Sequence, residues 1–159
     1  MTLCTFLALL FFVTPSRDPM VVHADGFTFS VKAPAGWRSD TSGRDANVVF
    51  QSGDATIRIR IQKKAYEHIA NLLAADMNDR RKTNPDLQVS ELMIDHPIYA
   101  TYSKLAFVPR QSYDYVTYLN AGPDVPYVFS VVMSVPKRPA NADEREALDA
   151  VARSLRCVP

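Results

Sequence analysis

The feature that most constrains this 159-residue chain is a strict alternation of apolar and polar residues in the stretch ATIRIRIQ, from Ala55 to Gln62. In an extended chain its three isoleucines point to one side, while Arg58 and Arg60 point to the other. This period of two predicts a strand with one face on a hydrophobic core and one face in water.

Similar stretches recur along the chain and are separated by turn residues. We predict strands over Phe27–Val31, Asn47–Gln51, Ala55–Gln62, Leu87–Asp95, Pro97–Val108, Ser112–Asn120 and Tyr127–Val135. The polar run from Arg38 to Ala46 predicts a loop. Because most connections are of hairpin length, the strands should pair antiparallel. Pro34 and Gly36 should end the first strand and turn the chain, so that Trp37 covers an end of the core.

Two stretches instead have helical periodicity. The first begins at about Glu67, is stopped by Asn84-Pro85, and carries an apolar stripe that Asp76 interrupts. In the second, Asn141 is a good N-cap and Glu144 completes a capping box. Its apolar stripe consists of Leu148, Val151, Ala152 and Leu155. The pattern predicts an α+β domain: an antiparallel sheet of about six to seven strands packed by two main helices.

The N-terminus has a different character. Leu3–Val13 is an apolar run of signal-peptide length, too short to span a bilayer as a helix. We predict a signal peptide over residues 1–24, cleaved after Ala24, and a single domain over residues 25–159. The protein would be exported, periplasmic or extracellular, without a stable membrane span after cleavage. No lysine or arginine precedes the run, and an uncleaved anchor or a buried strand remains the alternative.

Cysteine content bears on both lipidation and pairing. Cys4 stands at the front of the apolar run, whereas the cysteine of a lipoprotein stands at the end of such a run. Lipidation is therefore not expected. Removal of the leader leaves Cys157 as the only cysteine, which excludes an internal disulfide. Cys157 could join two chains into a dimer, but an unpaired thiol is the simpler expectation.

Two stretches are typical of a known family: the strand FTFSVKAP followed by AGW (Pro34, Gly36, Trp37), and the final helix ending AVARSLR. With these motifs, the chain resembles the PsbP/Mog1-like family over Gly26–Arg156. The resemblance implies an α/β/α sandwich. It also implies a binding or assembly factor rather than an enzyme, since family members serve photosystem II or a small GTPase. Neither partner carries over to this chain, and no functional residue of the family matches a position in it.

Motifs of catalysis and metal binding are absent from the sequence. It holds three histidines, His23, His68 and His96, without a nucleophile motif, C-x-x-C, H-x-x-x-H or a glycine-rich phosphate loop. We therefore expect no catalytic residue, no metal and no cofactor. The alternative is a small extracytoplasmic enzyme or ligand carrier with a cleft near His96, where Asp95 stands beside a turn histidine.

One set of residues suggests a binding surface. Arg58 and Arg60 share the outer face of their strand, and tyrosine and arginine are enriched in interface hot spots. The later strands are rich in tyrosine, and we expect Tyr113, Tyr115 or Tyr118 to accompany the arginines. The alternative is that the tyrosines simply pack on cross-strand neighbours.

The formal net charge of +1 argues against nucleic acid as a partner. Another protein of the cell envelope is the expected partner. A structural envelope component without a ligand is a further possibility.

Overall fold

The computed structural model describes residues 18–24, 26–43, 46–65, 68–122 and 124–159. Residues 1–17 of the predicted leader, which include Cys4, and Glu67 lie outside these residues. The strands are β1 (Met20–Ala24), β2 (Phe27–Val31), β3 (Arg38–Asp40), β4 (Val48–Ser52), β5 (Ala55–Lys63), β6 (Gln88–Glu91), β7 (Ala100–Val108), β8 (Ser112–Asn120), β9 (Tyr127–Pro136) and β10 (Arg156–Cys157). The helices are α1 (Ile69–Thr83), after β5, and α2 (Ala142–Ser154), after β9.

The strands of the described residues form two antiparallel sheets. The larger has seven strands in the order β3-β4-β5-β9-β8-β7-β6, and the smaller has three in the order β1-β2-β10. The small sheet and α2 pack together on one face of the large sheet, while α1 packs on the other face against β7 and β8. The predicted α+β fold is confirmed.

The main core lies between the large sheet and the layer formed by the small sheet and α2. Ile57 and Ile59 of β5 are fully buried there, as the alternation predicted. Full burial of such a side chain contributes about 1.5–3 kcal/mol. Phe29 of the small sheet meets Phe129 of β9 edge to face, with ring centroids 5.4 Å apart. Such aromatic contacts hold the two sheets together.

Both helices form where periodicity placed them. The predicted stripe of α1 is buried, and its members are Ile69, Leu72, Leu73 and Met77. At the start of α2, Asn141 Oδ1 accepts from the Glu144 backbone N–H (2.9 Å), and Glu144 Oε2 accepts from the Asn141 N–H (2.8 Å). The capping box is thus confirmed. Neither helix of the described ranges has the length and hydropathy of a membrane span.

Two strand predictions were wrong at their ends, and one loop prediction was wrong in part. The strand expected to reach Asp95 stops at Glu91, and the next begins at Ala100 instead of Pro97. Between them, His96 Nδ1 accepts hydrogen bonds from the backbone N–H groups of Ile98 and Tyr99. These two N–H groups are therefore not available for pairing with a neighbouring strand. The run Arg38–Ala46, expected to be a loop, begins with β3, because β4 offers it a free edge.

Trp37 follows the turn that Pro34 and Gly36 were expected to form. Gly36 adopts a left-handed conformation (φ +78°), and the Trp37 N–H donates to the Pro34 carbonyl (3.2 Å). The side chain is half-buried and packs against the main core. Trp37 therefore helps to cover the core, and its location at one end of the core stays a prediction.

The strand β1 was not anticipated, since its residues were assigned to the signal peptide. Met20–Ala24 pairs with β2 across five residue pairs, and Val22 is only 8% exposed in the main core. His23 Nδ1 lies 2.9 Å from Thr28 Oγ1. Cleavage after Ala24 stays a prediction, and it would leave the small sheet without one of its three strands.

We expect a chain that begins at Asp18 to be more stable than one that begins at Asp25. Burial of Val22 alone contributes about 1.5–3 kcal/mol, and the β1–β2 ladder adds to it. Urea denaturation of the two chains measures the difference in the free energy of unfolding. Val22→Ala should cost about 1.5 kcal/mol, while Val21→Ala, 54% exposed, should cost little. Equal stability of the two chains would show that β1 is dispensable.

A charged cluster joins the β4–β5 turn to the start of α2. The Arg138 guanidinium donates to both carboxylate oxygens of Glu144 (2.8 and 2.7 Å) and to Asp54 (2.8 Å). Glu144 is 8% exposed. Hydrogen bonds from Arg138 lower the pKa of Glu144 below its ordinary value of 4.5, although burial opposes them, and the Asn141 N–H lowers it further. The ionised form is therefore favoured in the folded state.

A Glu144→Gln variant should lose stability at neutral pH. Since the folded-state pKa is depressed, the carboxylate stabilises the fold fully above about pH 4.5, and this contribution is lost as pH falls through the folded pKa. The difference between wild type and variant should therefore shrink on acidification, measured by urea denaturation across a pH series. Glu146→Gln, an exposed neighbour on α2, is the matched control. A difference that stays constant with pH would contradict the role given to Glu144.

Candidate functional site

One face of the large sheet is only partly covered. The helix α1 packs over β7 and β8, and β3, β4 and β5 extend beyond it. We call the side chains that these three strands present on the α1 side the open half. They are Arg38, Asp40, Val49, Gln51, Thr56, Arg58, Arg60 and Gln62.

Strand register shows which residues share this face. Directly paired residues in neighbouring antiparallel strands point to the same side. Arg60 pairs with Ser130 of β9, which pairs with Tyr118 of β8, and Tyr118 in turn pairs with Tyr102 of β7. This row leads from the open half to the region beneath α1. Of the three tyrosines proposed for the site, Tyr118 therefore lies on the face of the arginines.

The other two tyrosines point away from it. Tyr115 is 4% exposed in the main core, and its hydroxyl accepts the Ala140 N–H at 2.9 Å. Tyr113 also faces the main core and stacks on Phe107, with centroids 5.5 Å apart. The expectation that either could join Arg58 and Arg60 is wrong. Strand alternation puts Tyr113 and Tyr115 on the opposite face from Tyr118.

A polar groove of about 290 Å³ separates the open half from α1. Its members on β5 are polar, and the exposed Arg58 and Arg60 alternate along that strand. On β9, Ser130 and Ser134 lie beside them on either side of Val132. Arg58 Nη1 donates to Ser134 Oγ over 3.4 Å, a long hydrogen bond to a neutral acceptor. The groove therefore offers guanidinium and hydroxyl donors side by side.

On its α1 side the groove is closed by an ion-pair network. Arg80 donates to Asp76 Oδ1 (2.9 Å) and to Asp114 Oδ2 of β8 (2.5 Å). The Tyr118 hydroxyl donates to the other oxygen of Asp76 (3.1 Å). Two carboxylates, one guanidinium and one phenol thus satisfy one another and tie α1 to β8.

The network changes the acidity of its members. Burial disfavours the charged guanidinium, yet Asp76 and Asp114 outweigh it and raise the pKa of Arg80. Burial and the neighbouring Asp76 carboxylate raise the pKa of Tyr118 to about 12. Arg80 is therefore charged and Tyr118 neutral over the physiological range, and Tyr118 serves as a hydrogen-bond donor.

Sequence reasoning missed Asp76, Arg80 and Asp114. A signal was present for the first, since Asp76 interrupts the apolar stripe of α1 and thereby marks a buried partner. A signal was also present for Arg80, because it lies one turn after Asp76, the spacing of an i,i+4 pair. No local pattern marks Asp114, whose partner lies 34 positions away in sequence.

His96, the centre of the alternative site, is held in the β6–β7 loop. Its Nδ1 accepts the N–H groups of Ile98 (3.0 Å) and Tyr99 (2.9 Å). Its Nε2 lies 3.2 Å from the Leu155 carbonyl oxygen and 2.9 Å from Arg156 Nη1. Burial lowers the pKa of His96 below its ordinary value of 6.5, although the hydrogen bond to the Leu155 carbonyl raises it. The positive charges of Arg156 and Arg153 lower the pKa further. The ring also stacks on Tyr99 at 4.5 Å. These contacts support a structural role.

Cys157 lies half-buried in β10 as a free thiol, and its backbone N–H donates to the Tyr99 hydroxyl at 3.0 Å. Pairing of two chains through Cys157 stays a prediction.

No family model matches the sequence, and no curated protein matches it either. The resemblance to the PsbP/Mog1-like family thus stays a prediction.

Replacing Arg80 tests whether the network holds α1 on the sheet. Arg80→Gln should lower the free energy of unfolding by about 1–3 kcal/mol, because Asp76 and Asp114 lose their shared cation. Urea denaturation measures the loss, and Arg81→Gln, an exposed neighbour, is the matched control. Equal stability of the two variants would contradict this account.

Proposed function

We propose that this protein is a non-catalytic, extracytoplasmic binding or assembly factor, and that it contacts another protein of the cell envelope through the open half. The observation that carries the proposal is the incomplete cover of one sheet face. The helix α1 stops short of β5, so Arg58 and Arg60 remain exposed beside the groove. Arginine is enriched where proteins bind each other.

The surroundings of the two arginines support this role. Beside them lies Tyr118, whose ring is buried under α1 and whose hydroxyl is committed to Asp76. The border of the surface is thus rigid, and a rigid surface loses little conformational entropy on binding. Tyr102, 37% exposed, continues the row on the far side of Tyr118. An arginine-bearing face with a preorganised border suits a docking surface.

The wider setting of the proposal comes from the sequence. The apolar run Leu3–Val13 supports export, and the order of strands and helices supports membership of the PsbP/Mog1-like family, whose members act as binding or assembly factors. The alternative enzyme or carrier with a cleft near His96 is less well supported. Both ring nitrogens of His96 are engaged by the chain itself.

A site-specific photo-crosslinker tests the proposed surface. Placed at Gln51, on the open half, it should capture an envelope protein in the cell, whereas placed at Ala150, exposed on α2, it should not. The double variant Arg58→Glu, Arg60→Glu should abolish the product while changing the free energy of unfolding by no more than about 0.5 kcal/mol, because both side chains are exposed. Capture that is equal from both positions, or unaffected by the double variant, would contradict the proposal.

A further inference from the structure

The open half carries an excess of positive charge. Its charged members are three arginines, Arg38, Arg58 and Arg60, and one carboxylate, Asp40. Asp40 is already bound within its own loop, where Oδ1 accepts the backbone N–H (2.8 Å) and the hydroxyl (2.6 Å) of Ser42. The chain as a whole has a net charge of only +1. The positive charge is therefore a local property of this surface.

The described acidic residues that line the groove cancel only part of this charge. Asp76 and Asp114 line the groove, but both are paired with Arg80 at 2.9 and 2.5 Å. Within the groove three guanidiniums face two carboxylates, which leaves one positive charge in excess. An incoming carboxylate thus meets the cations on β5, and behind them lies an ion-pair network in which two carboxylates share one guanidinium.

The spacing of the arginines suits an extended chain. Alternate residues of a strand lie about 7 Å apart on one face, which is the separation of the Arg58 and Arg60 backbone positions. Alternate acidic residues of a second extended segment have the same spacing. Arginine binds carboxylates with two parallel hydrogen bonds. Within the part of the chain that the structure describes, the bond that Arg58 would exchange for them is the 3.4 Å bond to Ser134.

We propose that the open half recognises an acidic, extended segment of the partner protein, with its alternate carboxylates on Arg58 and Arg60 and the edge of the segment reaching Arg38. This inference rests on the proposed function and adds the chemistry of the partner. A nucleic acid is a weaker match, because a run of phosphates is bound by many spread cations and not by three on one short surface.

The test uses the full chain in a non-ionic detergent and a short synthetic peptide of alternating glutamate and serine labelled with rhodamine. Fluorescence anisotropy at low salt should show binding that the double variant Arg58→Gln, Arg60→Gln weakens about tenfold or more. The control variant Lys32→Gln, Arg145→Gln removes the same charge from exposed positions in the layer of β2 and α2 and should bind like wild type. Raising the salt to about 200 mM should weaken the complex.

Three outcomes would overturn the inference. The first is no binding of the acidic peptide, or equal binding by both double variants. The second is tighter binding of a rhodamine-labelled oligothymidine, which would assign the surface to nucleic acid. The third is displacement of the peptide by inorganic phosphate at the same concentration of anionic groups, which would reduce the surface to a general anion site.

The two proposals fail separately. Capture through Gln51 together with an unbound acidic peptide would refute the acidic segment and leave the binding factor in place. Loss of capture at Gln51 would instead refute the binding factor itself.

Discussion

The alternation of side chains along β5 is the constraint on which the rest of the structure depends. Ile57 and Ile59 are fully buried in the main core, and the same backbone geometry holds Arg58 and Arg60 on the opposite face. A one-residue slip of register would exchange the two sets and bury the guanidiniums. The hydrophobic energy that builds the core therefore also fixes the position of the arginines.

The extent of the exposed surface is set by α1. Its apolar stripe packs on β7 and β8, and Arg80 ties it to Asp114 of β8, so the helix stays over that part of the sheet. The residue that breaks the stripe, Asp76, faces the groove and accepts the Tyr118 hydroxyl. One ion-pair network thus stabilises the helix and forms the border of the proposed docking surface.

Much of the fold followed from local patterns. Period-two stretches placed β2, β5, β8 and β9 within a residue or so, because each alternates or ends at a proline or glycine turn. The strands that sequence reasoning missed lack such signals. The strand β3 is three residues of polar chain, and β1 and β10 form strands only because both edges of β2 were available to them. Pairing partners distant in sequence decided these elements.

The sequence by itself determined the α+β class, both helical stripes, the capping box of α2 and the shared face of Arg58 and Arg60, because each depends on residues within a few positions of one another. Only the tertiary structure decided which tyrosine lies beside the arginines. That choice depends on the register between β5, β9 and β8, which long-range pairing sets. The coverage of one sheet face by α1 was likewise decided by packing, since no local sequence pattern specifies which strands of a sheet a helix packs against.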